Sequence, residues 1–408
     1  MPEAFLIGGA RTPVGRYGGA LSAARPDDLA ALTVRTVVER AGLDPAVVDE
    51  VILGNANGAG EENRNVARMA WLLAGFPDSV PGITVNRLCA SGLSAIIMAS
   101  HMVKAGAADI VVAGGVESMS RAPWVMEKPD KAFAKPGVVV DTSIGWRFVN
   151  PAFVSGPLSR EGKTSFSMPE TAEEVARVFG TSRDDCDSFA VRSHARALAA
   201  IEAGRFDDEI IPVTITGRKG VQTVVSRDEG PRPGTTMDVL SGLRPVVQGG
   251  SVVTAGNASS LNDGASAIIV ASEAAIQKYG LTPRARILDG GSAGVAPEIM
   301  GIGPVPATRK ILDRTGLSVS DLGAVELNEA FASQSLAVMR ELKLAEETVN
   351  SDGGAIALGH PLGSSGSRLV VTLLGRMERE LGSEQRKLGL ATMCVGVGQG
   401  TALLVEGV

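Results

Sequence analysis

Apolar and polar positions along the chain fall into a pattern that occurs twice. Residues 37–55 (VVERAGLDPAVVDEVILGN) read as the end of an amphipathic helix, a Gly-Leu stop and an apolar strand, and residues 311–329 (ILDRTGLSVSDLGAVELNE) read the same way. At a constant offset, Arg40, Gly42, Leu43, Val51 and Leu53 meet Arg314, Gly316, Leu317, Val325 and Leu327. Thr-Val-Asn then recurs at 84–86 and 348–350, and ADIVVAGGVESM (108–119) faces LGLATMCVGVGQG (388–400). Three blocks in one order predict two related α/β halves, with a period far too long for a solenoid. In this alignment the strand-end carrying Cys394 matches a turn at Gly114-Gly115.

Between the halves the pattern changes. Residues 121–170 have no sustained period and hold Trp124, Phe133, Trp146, Phe148, Phe153 and Phe166 among prolines and glycines, so they predict a long looped excursion. Loops of that length in a compact protein commonly cover a site. At Met168-Pro169 a loop meets a helix. Residues 182–203 predict a helix with Ser182 as N-cap and acids in its first turn. Apolar strand character returns over 252–270.

Composition narrows the class. With 408 residues, 44% hydrophobic and 21% charged, the chain is expected to be an ordinary soluble globular protein of two to three domains. It has no apolar run of about 18 residues for a membrane span. The opening MPEAFLIGGARTP lacks a secretory leader's layout and the closing LLVEGV carries no receptor-read address, so a cytoplasmic protein is expected. A net charge of −6 argues against a nucleic-acid partner. Acidic and basic residues balance over 121–249, however, so that segment could suit an anionic ligand. Three cysteines with no CxxC pair give neither a disulfide framework nor a zinc site, and no metal is expected.

Few side chains are left for chemistry. Cys89, in TVNRLCASGLSAIIMASHMVKAG, sits where a strand turns into a helix with the apolar face Leu93, Ile96, Ile97 and Met102. Amide donors and the helix dipole there are expected to lower the thiol pKa, although a buried apolar cysteine is the alternative. His360 lies in the glycine-rich GGAIALGHPLGSSGS, either as a reactive imidazole or as a turn residue. Cys394 follows an apolar strand, and Gly396, Gly398 and Gly400 clear the loop beyond it. Asn328 ends a strand just before a helix, where it could cap the helix or bind an oxyanion. Cys186 among acids, and His101 and His194 on helices, are expected to be inert. GGSAG at 290–294 matches a nucleophile elbow, and Ser292, Asp321 or Asp352, and His360 follow the chain order of an α/β hydrolase. The prolines and glycines after Ser292 exclude the helix an elbow must open. Gly396-x-Gly398-x-Gly400 leaves no room for a βαβ unit, and GSSGS lacks the Lys-Ser/Thr of a P-loop.

NRLCASG around Cys89, NEAFA at 328–332, GGAIALGHPLG at 353–363 and CVGVGQG at 394–400 resemble the thiolases, in order and over nearly the whole chain. The resemblance implies an α/β fold of two homologous halves in a layered αβαβα core with an inserted loop domain. Here that would be 1–120 with 250–280, 121–249 over the coenzyme A site, and 281–408. It implies that Cys89 is the acylated nucleophile, His360 the base that activates it and Cys394 the second acid/base. Asn328, holding a water beside His360, would form one oxyanion hole, and the N–H groups of Cys89 and Gly396 the other. A homo-oligomer, dimer or tetramer, is implied as well.

No permanent cofactor is implied: coenzyme A and acyl-CoA come and go as substrates. Ser259 resembles a pantetheine contact and Arg232 a nucleotide contact, with Ser167 and Met168 beside them. Acetoacetyl-CoA thiolases commonly have His-Met-Gly before this helix, whereas this chain has Ser167-Met168-Pro169, with Glu174 in place of Asn and Ser260 in place of Gly. ENRNVARMA (62–70), GGVESMSRAPWVM (114–126), IGWRFVNP (144–151) and SMPET (167–171) are more similar to the β-ketoadipyl-CoA thiolases of aromatic degradation. The expected substrate is therefore 3-oxoadipyl-CoA, with acetoacetyl-CoA as the alternative. A dicarboxylate pocket needs a cation, and Arg147, Arg160 and Lys163 are the candidates.

Overall fold

The computed structural model describes residues 2–382 and 387–408. Nine strands make the frame: β1 (Ala4–Arg11), β2 (Glu50–Gly54), β3 (Gly82–Val85), β4 (Ile110–Ser118), β5 (Asn262–Ser272), β6 (Pro283–Gly294), β7 (Ala324–Leu327), β8 (Leu388–Val395) and β9 (Gln399–Gly407). The first half runs β3-β2-β4-β5-β1 and the second β7-β8-β9-β6, joined where β1 pairs antiparallel with β6, Phe5 opposite Arg286. Each half repeats one pattern. β2 is parallel to β4 and β7 to β8, while β5 and β9 return antiparallel to β4 and β8. Val349 forms a parallel bridge to Val325, as β3 pairs with β2, so the two Thr-Val-Asn segments occupy matching places.

Strand residues alternate between two burial faces, and both are apolar. Val51 and Leu53, with Ile110 and Val112, face the outer helices α1 (Pro26–Arg40) and α2 (Val66–Leu73). Ile52, Val111 and Ala113 face inward. In the second half Leu388, Leu390, Ala402 and Leu404 pack under α6 (Pro304–Thr315) and α7 (Ala332–Leu342), and Met393, Val395, Leu403 and Val405 face inward. Between the inner faces lie α3 (Ser91–Lys104) and α8 (Leu362–Glu380), through Leu93, Ile96, Leu369 and Leu373. Helix, sheet, helix, sheet and helix follow in layers. Sheets covered on both sides explain why the strands read as continuous apolar runs.

The helix expected over 182–203 is α5 (Arg183–Glu202). Ser182 Oγ accepts the Asp185 N–H, and α4 (Met168–Phe179) precedes it. The excursion over 121–170 holds only a two-strand hairpin (Trp124–Met126 with Val139–Asp141) and single helical turns before Met168. One expectation fails, and the rejected nucleophile elbow proves to be a strand. Gly114 and Gly115 are no turn but the middle of β4, and a side chain on Gly115 would run into the Gly363 backbone. Ser292 lies within β6, bonded to Thr401 Oγ1 at 2.9 Å, while Asp352 is paired with Arg205 and Arg379. No hydrolase triad forms, because the elbow sequence is spent on strand pairing.

Candidate active site

The two middle helices cross near their first turns. A Cβ on Gly92 would stand 2.6 Å from the Gly363 carbonyl oxygen and 2.7 Å from Ser367 Oγ, so glycine is what lets the backbones meet. Cys89 precedes α3 by two residues and His360 precedes α8 by two. The crossing brings both helix starts to one end of the layer, where Cys89 and Leu362 line a common cavity.

A single 3-10 turn, Leu88–Ala90, carries the thiol into α3. Leu88 has φ +48° and Val397 φ +62°, left-handed conformations that cost about 1–3 kcal/mol each outside glycine. These strained residues adjoin Gly396 and Cys89, whose backbone amides act on the Cys89 thiol in the direction of a thiolate, yet the thiol is pushed up to about 11. Burial outweighs the amides, and the Glu117 charge adds to it. The expectation of a lowered thiol pKa is therefore corrected: desolvation is a tertiary effect that local spacing does not reveal.

His360 is buried, and that burial, aided by the Arg368 charge, pulls its pKa down to about 3. Its backbone N–H donates to Asn262 Oδ1 at 2.8 Å, and its Nδ1 lies 2.6 Å from Ser365 Oγ. The Ser365 hydroxyl donates to the Pro361 carbonyl at 3.0 Å, so it accepts from Nδ1–H and leaves the Nε2 lone pair available as a base. Nε2 faces Asn328 Nδ2 at 3.4 Å. Asn328 is buried after the end of β7 and does not cap α7, whose N-cap is Phe331. Its Oδ1 has no hydrogen-bond partner among the described residues, which leaves an acceptor for something other than protein.

Cys394 is the last residue but one of β8, inside the strand rather than after it. It packs in an apolar cluster with Met300, Ala330 and Phe331, against Met168 and Ala258. Burial and the neighbouring Cys89 push its thiol far up. Cys186, expected to be inert, is buried in α5 with its thiol pushed up to about 12.

The cavity at Cys89 holds about 270 Å³ and is lined by Asn57, Glu117, Arg147, Ser167, Met168 and Gly396 among others. Glu117 was not singled out in the sequence. Its buried carboxyl accepts the N–H groups of Ala56, Asn57 and Gly363 at 2.9, 3.1 and 2.9 Å, and desolvation raises it to about 7. It ties the segment after β2 to the first turn of α8. Of the three candidate cations only Arg147 lines this cavity. Arg160 is paired with Glu298 at 2.8 Å and Lys163 with Glu174 at 3.0 Å, so those two are spent on ion pairs. Glu174 is the acid that occupies Lys163. Ser167 is committed to a capping box, its hydroxyl donating to Glu170 Oε2 at 2.7 Å.

A second cavity, about 220 Å³, is lined by Arg16, His194, Arg232, Ala258 and Ser260, with no carboxylate among its described lining residues. Ser167 and Met168 belong to the Cys89 cavity and not to this one. Ser259 sits between two lining residues, its N–H donating to the Ala330 carbonyl at 2.9 Å. His194 Nδ1 accepts the Arg232 N–H at 3.2 Å, and burial lowers its pKa to about 4, so it stays neutral while holding the arginine's loop. Arg16 escaped the sequence reading; its buried Nε has no partner among the described residues. Ala258 from this cavity and Met168 from the other both pack against the apolar cluster that holds Cys394.

Residues 4–274 match the family model of the thiolase N-terminal domain and residues 281–407 that of the C-terminal domain. The chain is 57% identical to a β-ketoadipyl-CoA thiolase of Pseudomonas aeruginosa, over 99% of both chains. It is 53% identical to a 3-oxoadipyl-CoA/3-oxo-5,6-dehydrosuberyl-CoA thiolase of Escherichia coli, over the full length of both. The crystal structure of an acetyl-CoA acetyltransferase from Bacillus anthracis superposes with a TM-score of 0.91 at 41% identity, covering 100% of this chain and 99% of that one. In sequence, in layered fold and in the order of its motifs, the chain belongs to the thiolase family of acyltransferases.

Proposed function

We propose that this enzyme cleaves 3-oxoadipyl-CoA with coenzyme A, giving acetyl-CoA and succinyl-CoA through an acyl group on Cys89. The observation that carries this reading is the thiol itself: Cys89 lines the wall of a cavity that also holds a cation, Arg147, and the Cys394 thiol is near enough to feel its charge. Cys89 Sγ attacks the C3 ketone and its proton passes to His360 Nε2. The C2–C3 bond breaks, and the departing acetyl-CoA enolate takes its proton from Cys394. Coenzyme A then gives its thiol proton to the Cys394 thiolate and attacks the succinyl thioester. Cys89 leaves and recovers its proton from His360. Splitting the cleavage at a thioester replaces one difficult step by two easier ones. The enolate and the tetrahedral oxyanions form at different carbonyls, so two donor sets are needed: Asn328 with a water beside His360, and the amides of Cys89 and Gly396.

Coenzyme A would reach Cys89 from the second cavity, its phosphates near Arg16 and Arg232 and its pantetheine passing Ser259 and Cys394. The dicarboxylate substrate is supported by the names of the two relatives above, which span this chain end to end. We include a homo-oligomer in the proposal. The edge strand β3, with Ile83 exposed, and the hairpin carrying exposed Trp124 and Val139 are surfaces a second copy would cover. The test is kcat/KM for coenzyme A-dependent cleavage of 3-oxoadipyl-CoA, acetoacetyl-CoA and 3-oxohexanoyl-CoA side by side. The proposal expects 3-oxoadipyl-CoA to win; if acetoacetyl-CoA wins or the three are equal, the dicarboxylate assignment falls.

A further inference from the structure

The acyl group that would sit on Cys89 is short. Succinyl carries its carboxylate only two methylenes beyond the thioester carbon, so the group that neutralises it must share the cavity with the thiol. The lining of that cavity offers two charged side chains, Glu117 and Arg147. The Glu117 oxygens are turned into the backbone amides of Ala56, Asn57 and Gly363. Arg147 is the cation that remains.

Its attachments show how it is held. One N–H on Nη1 donates to the Thr142 carbonyl at 3.4 Å and one on Nη2 to Asn57 Oδ1 at 3.2 Å. Both acceptors are neutral, and no ion pair engages Arg147 among the described residues. A guanidinium has five N–H donors, so three remain for a ligand. The supports are themselves fixed. Asn57 Nδ2 donates to Thr142 Oγ1 at 2.9 Å, and the Asn57 backbone N–H donates to Glu117. The loop ahead of Arg147 turns at Gly145 with φ +88°, and Trp146 Nε1 pins it by donating to the Phe166 carbonyl at 3.0 Å. A half-buried guanidinium steered by neutral oxygens and left without a counter-ion is poised for an anion that arrives with the substrate.

We propose that Arg147 is the specificity residue for the distal carboxylate, binding it across the Cys89 cavity while Asn57 and Thr142 aim its guanidinium. This rests on the 3-oxoadipyl-CoA reading above, and the experiment separates the two. Wild type, Arg147→Ala and Arg147→Lys are assayed with 3-oxoadipyl-CoA and with 3-oxohexanoyl-CoA, which has the same length but ends in a methyl group. Acetylation of Cys89 by acetyl-CoA, which needs no distal cation, is followed in parallel. Hydrogen bonds to a charged group of this kind are worth about 10- to 100-fold in binding. Arg147→Ala is expected to lose that factor in kcat/KM for 3-oxoadipyl-CoA while 3-oxohexanoyl-CoA cleavage and Cys89 acetylation stay near wild type. Arg147→Lys should recover part of the loss, because it restores the charge without the fork. If wild type itself shows no preference between the two substrates, the dicarboxylate reading fails and takes this inference with it. If wild type prefers 3-oxoadipyl-CoA and Arg147→Ala keeps that preference, the carboxylate is bound elsewhere and only the Arg147 assignment is overturned. Equal loss on both substrates and in acetylation makes Arg147 a packing residue and likewise overturns it.

Discussion

Two helices of the middle layer, α3 and α8, each begin beside a side chain to which a catalytic role is proposed, and burial acts on the two in opposite directions. The thiol before α3 is pushed up to about 11 and the imidazole before α8 down to about 3. An acid taken out of water keeps its proton and a base declines one. The pair therefore rests as neutral thiol and neutral imidazole rather than as thiolate and imidazolium. In the proposed mechanism charge would appear during attack, when the carbonyl oxygen of the substrate would take it up at the Cys89 and Gly396 amides. Placement of the base and donors, more than a pre-formed thiolate, would then set the rate.

The sharpest way to break this contrast is His360→Ala. A thiol that depends on its base should lose about 10²–10⁴-fold in the rate of Cys89 acylation, read by rapid-quench mass spectrometry with acetyl-CoA. A variant that acylates near the wild-type rate would mean the thiol ionises without help. The effect of Cys394→Ala is expected to be as large but to fall most heavily on carbon. Cys89 should still take the acetyl group, more slowly because the departing coenzyme A thiolate loses its proton donor, while exchange of the acetyl-CoA α-proton with solvent deuterium falls by about 10²–10⁴-fold. Undiminished exchange would remove Cys394 from its role. Smaller is the effect of pH on folding. The folded-state pKa of His360 is depressed below the ordinary 6.5, so the unfolded chain takes up a proton first as the medium becomes acidic. The stabilisation is present above 6.5 and is lost as pH falls towards about 3. Chemical denaturation of wild type and His360→Ala across that range should show the wild type losing stability relative to the variant on the acid side. A constant difference would show that the imidazole is not desolvated.

How much of this was legible in the sequence depended on the distance over which each contact acts. Cys89, His360, Asn328 and Cys394 stand at or near strand and helix ends, and local spacing reveals those ends. The repeat likewise foretold that Val51 and Val325 lie in matching strands. Glu117 was hidden because its meaning comes from the Gly363 amide, 246 residues away along the chain. Ser365 was hidden because a serine in a helix's first turn usually answers the backbone, and here it also sets the histidine tautomer. Arg147, Arg160 and Lys163 looked alike in sequence. Glu298, 138 residues from Arg160, and Glu174 decide which cations are spent. The direction of the Cys89 shift was misjudged for the same reason: the helix start is local, and the burial that overrides it comes from tertiary packing.

The central claim is that Cys89, and no other thiol, carries the acyl group. Peptide-resolved mass spectrometry of the enzyme mixed with acetyl-CoA tests it directly, because Cys89, Cys186 and Cys394 are the only cysteines in the chain. The account predicts acetyl on the peptide containing Cys89, discharged when coenzyme A is added. Acetyl on Cys394 or Cys186 in its place, or no covalent adduct at all, would contradict it.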